Sequence, residues 1–134
     1  MATKGKSQLL LDILQEINKA LGDRIEASVI VTEDGLPISA LLPIKIIPED
    51  KKEEKETELA AMTATILSVS KRAMNEFKKG EIDKILVDGK NGALVLMSAG
   101  ERAILAVLTK ETTNLGLLFL TMKRATKKIA HILS

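Results

Sequence analysis

The chain of 134 residues has no cysteine, tryptophan or tyrosine, one histidine and two phenylalanines. Without cysteine there is no disulfide frame and no thiolate for catalysis or metal binding, a pattern suited to a cytoplasmic protein. With aromatic side chains limited to Phe77 and Phe119, the stacking platforms that hold single-stranded nucleic acid are missing. A formal net charge of +2 offers no bulk attraction to nucleic acid either. Long apolar runs are absent as well. Asp12, Gln15, Glu16 and Lys19 break the stretch that follows the basic residues 1–6, which argues against both a membrane span and a signal peptide. What remains is a core of Leu, Ile, Val, Ala and Met, in a chain long enough to form one domain over 1–134.

Three apolar runs, at 85–87, 93–97 and 103–108, carry most of the information, the first closing a strand expected over 82–87. The turns between them, Asp88-Gly89-Lys90-Asn91-Gly92 and Gly100-Glu101, are far too short for a parallel crossover, so the strands pair antiparallel as hairpins. Ala93-Leu94-Val95-Leu96-Met97 has no polar position, unlike a strand with one wet face. Such a sheet needs cover on both sides. An earlier hairpin is written in 24–32, the turn Glu33-Asp34-Gly35, and 36–41. Ile25, Ala27, Val29 and Val31 alternate onto one face, and Pro37, which cannot donate to a ladder, places its strand at an edge.

Helical periodicity appears three times. Leu10, Ile13, Leu14, Ile17 and Leu21 form a stripe opposite Asp12, Gln15, Glu16 and Lys19, with Ser7 as N-cap and Gly22 as stop. A second helix spans 57–79, capped by Thr57 and closed by Gly80. Leu59, Met62, Ile66, Val69, Ala73 and Phe77 make its core stripe, while Ala60, Thr63, Leu67 and Met74 widen the apolar arc beside it. The last helix, opened by Thr113-Asn114-Leu115-Gly116, buries Leu115, Leu118, Met122, Ala125, Ile129, Ile132 and Leu133. Residues 1–6 are expected to be a flexible N-terminus. Residues 43–57 read as a charged loop insert, either solvated or an early polar helical turn, with a docking segment as the alternative. The fold class is α+β: a three-layer α/β/α domain with a five-stranded antiparallel sheet in the order α-β-β-α-β-β-β-α.

No catalytic constellation survives inspection. His131 stands alone on the polar side of the last helix, without the further ligands a metal site needs. Gly89-Lys90-Asn91-Gly92 joins two strands, whereas a phosphate cradle joins a strand to a helix. Ser68, Ser70 and Ser98 lack a base in any recognisable arrangement, and Asp34 and Asp88 are explained as turn formers. The expectation is a non-enzymatic protein with no cofactor and no metal. Lys123, Arg124, Lys127, Lys128 and His131 gather on one side of the last helix. A solvated face complementing the helix C-terminus accounts for them, and an acidic protein or an anionic membrane is the alternative use.

The element order resembles that of the roadblock/dynein light chain family. The likeness rests on Ala27-Ser28-Val29-Ile30-Val31-Thr32-Glu33-Asp34-Gly35-Leu36-Pro37-Ile38, which is similar to the family's strand, Asp-Gly, strand opening. It also rests on the Ala-rich helix start Glu58-Leu59-Ala60-Ala61-Met62-Thr63-Ala64, and on Gly92-Ala93-Leu94-Val95-Leu96 followed by Asn114-Leu115-Gly116-Leu117-Leu118. The charged insert departs from the family pattern. The resemblance implies a homodimer, or a pair with a related subunit, in which third strands join edge to edge and central helices pack antiparallel. Ile85 and Val87 would lie at the strand junction, and Ala60, Thr63, Leu67 and Met74 on the helix flank; the alternative is that this flank meets only its own sheet.

Family members serve as platforms for Ras-like small GTPases, and some stimulate GTP hydrolysis. The resemblance therefore implies a partner-binding face at Thr65, Ser68, Lys71, Arg72 and Asn75. Arg72 as an inserted finger is the alternative to a solvated helix arginine. A light-chain-like scaffold indifferent to nucleotide state is the alternative function.

Overall fold

A computed structural model describes residues 4–42, 47–110 and 114–134. The expectations for the N-terminal residues 1–3, for 43–46 of the insert and for Thr113 lie outside the described residues. The elements are α1 (Lys6–Leu21), β1 (Ile25–Thr32), β2 (Pro37–Leu41), α2 (Lys52–Glu76), β3 (Ile85–Gly89), β4 (Gly92–Ala99), β5 (Ala103–Thr109) and α3 (Leu115–Leu133). Short 3-10 turns cover Gly22–Arg24 and Glu49–Lys51. The strands form one antiparallel sheet in the order β2-β1-β5-β4-β3. Pro37 opens β2 at one edge of that sheet, where its missing N–H costs no ladder bond.

The two apolar faces predicted for the sheet are both covered. On one side α1 and α3 pack with Leu10, Leu14, Ile17, Leu118, Met122 and Ile129 over Ile30, Val95, Leu105 and Val107. On the other, α2 presses Ala60 and Leu67 onto Val29, Val31, Leu96, Ile104 and Ala106. The alternation expected for β1 is broken near its start. Ile25 packs under α1 and α3 while Val29 and Val31 face α2, because the pairing with β5 slips between Ile25 and Ala27. A slip of one residue turns the following side chains to the opposite face.

Several boundaries differ from the sequence expectation. α1 begins at Lys6 with Gly5 as its N-cap, so Ser7 lies inside the helix. α2 begins at Lys52, which makes 52–57 helix and only the earlier part of the insert a connection. The Thr57 hydroxyl donates to the Glu53 carbonyl at 3.0 Å and is no cap. Glu53 and Glu54 in the first turn suit the positive helix N-terminus, and Lys51–Glu54, Lys52–Glu49 and Lys55–Glu58 are ion pairs three residues apart. β3 begins at Ile85, leaving Ile82 in the preceding connection.

The larger correction concerns the rotation of α2. The predicted core stripe sits only partly on the sheet: Leu59 and Ile66 pack at the margin of that core, while Met62, Val69 and the C-cap residue Phe77 are 55%, 62% and 71% exposed. The strip that meets the sheet is Ala60, Thr63 and Leu67. Small side chains let the helix axis approach the strands closely, and the apolar arc of α2 is wide enough to permit either rotation. Thr63 is fully buried, and its hydroxyl finds no hydrogen-bond partner among the described residues.

Two stability outcomes follow. Gly92 adopts φ +148°, and a Cβ there would stand 2.1 Å from the Thr109 carbonyl oxygen. The same approach lets the Thr109 hydroxyl accept the Ala93 N–H at 3.1 Å. Gly92→Ala is expected to lower unfolding stability by about 2–4 kcal/mol, whereas Gly5→Ala, with open space around it, loses only about 1 kcal/mol or less from a poorer N-cap in urea titration. Thr63→Val exchanges an unsatisfied buried hydroxyl for a methyl of the same shape. It is expected to be neutral or stabilising by about 1–2 kcal/mol in the same assay.

Candidate protein-docking face

Beyond the strip that meets the sheet, α2 shows two unlike flanks. The first carries Ala61, Ala64, Thr65, Ser68, Lys71, Arg72 and Asn75, at spacings of three, four and seven that keep them on one side. It approaches the β1–β2 turn. There the Gly35 N–H donates to the Thr32 carbonyl at 3.0 Å, and the Leu36 N–H donates to the Thr32 hydroxyl at 3.0 Å. Gly35 takes φ +89° and lies so near α2 that a Cβ would sit 3.3 Å from that of Ala64.

An open cleft of about 290 Å³ lies along this flank, lined by Glu33, Ser68, Lys71, Arg72 and Asn75, with Ile104 beneath. It adjoins a hollow of about 690 Å³ that shares Glu33, Lys71 and Asn75 and adds Glu81, Ser98 and Glu101. Lys71 Nζ stands 3.9 Å from Glu33 Oε1, and both side chains are about half exposed. Such a pair is worth little in water, so the lysine can exchange its carboxylate for a partner's group. The five residues expected at a partner face are thus all exposed on one side of α2, and four of them line the cleft. Thr65 lies outside it, and its hydroxyl donates to the Ala61 carbonyl at 2.9 Å.

The second flank is apolar: Met62, Val69 and Phe77 are exposed, with Ile66 half-buried beside them. β3 pairs with β4 and leaves its other edge open. Val87 lies opposite Leu94, and Ile85 opposite Leu96, on the side of the sheet that carries α2. Leu86, opposite Val95, points to the other side. Leu86 and Val87 are 41% and 47% exposed. Of the helix residues expected to meet a second copy, Ala60, Thr63 and Leu67 instead pack on their own sheet, and Met74 remains 38% exposed.

Among the described residues no group of His, Cys, Asp or Glu could hold a metal ion, and His131 lies on the exposed side of α3, across the sheet from α2. Carboxyls with displaced titration lie outside the cleft. The Lys4 ammonium and the Gln8 amide hold Asp12 below the usual carboxylate range. Lys84 does the same for Asp83. Glu56 is pushed up by partial burial and then by Glu53.

Sequence reasoning missed Glu33, Glu81, Ser98 and Glu101, which reach the hollow from separate connections and strand ends. Glu33 and Glu101 read locally as turn residues, and nothing local ties Glu81 or Ser98 to them. Apolar periodicity places the exposed Met62, Val69 and Phe77 in the core, because it does not say what lies opposite. No helix among the described residues is long and apolar enough to cross a membrane.

Comparison with known proteins places this geometry. Two uncharacterized proteins of Methanocaldococcus jannaschii are each 35% identical over 117 residues, covering 87% of this chain and 93% of theirs. Solved structures share the fold. Myxococcus xanthus MglB superposes with a TM-score of 0.82 at 19% identity, covering 99% of this chain and 93% of its own. The gliding protein MglB of Thermus thermophilus gives 0.80 at 20%, covering 98% and 93%. A Roadblock/LC7 domain from Streptomyces avermitilis gives 0.75 at 20%, covering 95% and 96%. With its residues 12–109 matching the Roadblock/LC7 domain, the chain belongs to that family.

Proposed function

We propose that two copies of the chain join side by side through β3 and the apolar flank of α2, and that the joint platform binds and regulates a Ras-like small GTPase. The observation that carries this reading is the unfinished cover of the α2 side of the sheet. Val87 on an open strand edge, Met62 and Val69 on α2 and Phe77 at its C-cap are exposed apolar groups that a solitary domain would keep from water. A second copy satisfies both sets at once: edge pairing extends the ladder, and α2 gains an apolar neighbour. Met74, Ile85 and Val87 keep their expected places in this interface. Met62, Val69 and Phe77 replace Ala60, Thr63 and Leu67, which are already buried.

The cleft along the opposite flank of α2 is the docking site. Its Lys71 and Arg72 offer donors to a partner's carboxylates, and Glu33 and Glu81 offer acceptors. Family membership supports a regulator or adaptor, and one MglB of the same fold is described in a tetrameric arrangement. The protein itself performs no chemistry in this reading. Any change in GTP hydrolysis arises from ordering the GTPase's own catalytic groups.

Val87→Lys places a charge on the joining edge without disturbing a buried position. The wild-type chain is expected to sediment at twice the chain mass and the variant at the chain mass, with unchanged circular dichroism. A wild-type monomer at all concentrations would refute the pairing. For the platform, the double variant Lys71→Glu, Arg72→Glu should weaken capture of a GTP-loaded Ras-like protein by about tenfold or more while leaving the dimer intact. Equal capture of GTP- and GDP-loaded forms would instead identify a passive scaffold.

A further inference from the structure

The side of the sheet opposite α2 carries a pattern that the docking reading leaves unused. α3 has no Asp or Glu along its whole length, and Lys123, Arg124, Lys127, Lys128 and His131 are all exposed. Leu118, Met122, Ala125, Thr126 and Ile129 face inward. At about 100° per residue, the outward ridge is therefore Leu117, Leu120, Arg124, Lys127 and His131, with Lys123 and Lys128 on its shoulders. Leu117 and Leu120 are 41% and 49% exposed, in line with the cations rather than scattered among them.

The acids that face this ridge touch only its shoulders. Glu16 of α1 accepts from Lys128 Nζ at 3.0 Å, and Asp83, held by Lys84, lies within electrostatic reach of Lys123. Arg124 and Lys127 form no ion pair among the described residues. Lys84 adds a further cation beside the helix, its Nζ 5.0 Å from the centre of the Phe119 ring.

We infer that the outer face of α3 docks on an anionic lipid surface. A membrane is favoured over an acidic peptide because the ridge is convex. The neighbouring groove between α1 and α3, lined by Glu16, Arg124 and Lys128, holds only about 210 Å³, too little to seat a peptide segment. It is favoured over nucleic acid because the ridge has no aromatic ring to stack a base, and because exposed leucines contribute nothing to phosphate contacts. On a bilayer the two groups divide the work: leucines enter the boundary between headgroups and acyl chains, while the cations stay at the phosphates on flexible stems. Each Lys or Arg near such a surface strengthens binding about fivefold, within a Debye length and therefore in a salt-dependent way. The contact is peripheral and reversible.

The inference stands on the single chain, and only its strength rests on the side-by-side pairing. α3 packs on β4 and β5, and α1 on β1 and β2. Joining two sheets through β3 would therefore set both α3 helices in the middle of one face, doubling the ridge and leaving the α2 side free for a protein partner.

The test is co-sedimentation of the full chain with vesicles of equimolar phosphatidylglycerol and phosphatidylcholine, against pure phosphatidylcholine, with oligomeric state measured in parallel. Binding is expected on the anionic vesicles alone and should be released by added salt. Arg124→Glu, Lys127→Glu should weaken it by about tenfold or more, given about fivefold per cation. Leu117→Ser, Leu120→Ser should weaken it several-fold at unchanged circular dichroism. No binding to anionic vesicles at low salt, or full binding by either double variant, overturns the proposal. So does capture by polyglutamate or duplex DNA without capture by vesicles. A monomer that binds vesicles refutes the pairing and leaves this inference standing; a dimer that does not bind refutes this inference alone.

Discussion

Burial of β1, β5 and β4 from both sides is the constraint on which the rest of this structure depends. Val29, Ile30, Val31, Val95, Leu96, Ile104, Leu105, Ala106 and Val107 are all essentially inaccessible to water. Side chains facing both directions from one sheet cannot be satisfied by a single helical layer. Two helices, α1 and α3, close one side. The other side has α2 alone, seated mainly over β1, β2 and β5. That asymmetry leaves an open strand edge at β3 and a helix flank with nothing above it.

Charged groups play a different part. The ion pairs are exposed at the surface, where solvent screening leaves each of them little weight. They do not hold the fold; they mark which surfaces stay wet and available. Along α2 the polar flank borders a cleft in which lysine, arginine and glutamate can trade partners. Along α3 cations stand without acids on the same helix. The two surfaces lie on opposite sides of the sheet, so one chain can present two chemically unlike faces without interference.

Much of the architecture was legible in residue patterns because it rests on local chemistry. Consecutive short turns at Asp88–Gly92 and Gly100-Glu101 left antiparallel pairing as the available geometry, and the unbroken apolar strand 93–97 required cover on both sides. The cleft was half legible. Ser68, Lys71, Arg72 and Asn75 announce a polar flank by helical spacing, but Glu33, Glu81, Ser98 and Glu101 are far apart in the chain and meet only because strand ends and connections converge there. The start of α2 is not legible in the sequence, because Thr57 has the chemistry of a cap five residues inside the helix. The acids and lysines before it form their own ion pairs and a favourable first turn, which carry the helix back to Lys52.

The amino-acid order by itself determined the number, kind and pairing sense of the elements and the apolar character of both sheet faces. These follow from periodicity, turn chemistry and residue type, which act over a few neighbours. Only the tertiary structure decided which arc of α2 is buried. That choice depends on how closely Ala60, Thr63 and Leu67 let the helix approach the sheet, and no local signal along α2 distinguishes that arc from the equally apolar one carrying Met62, Val69 and Phe77.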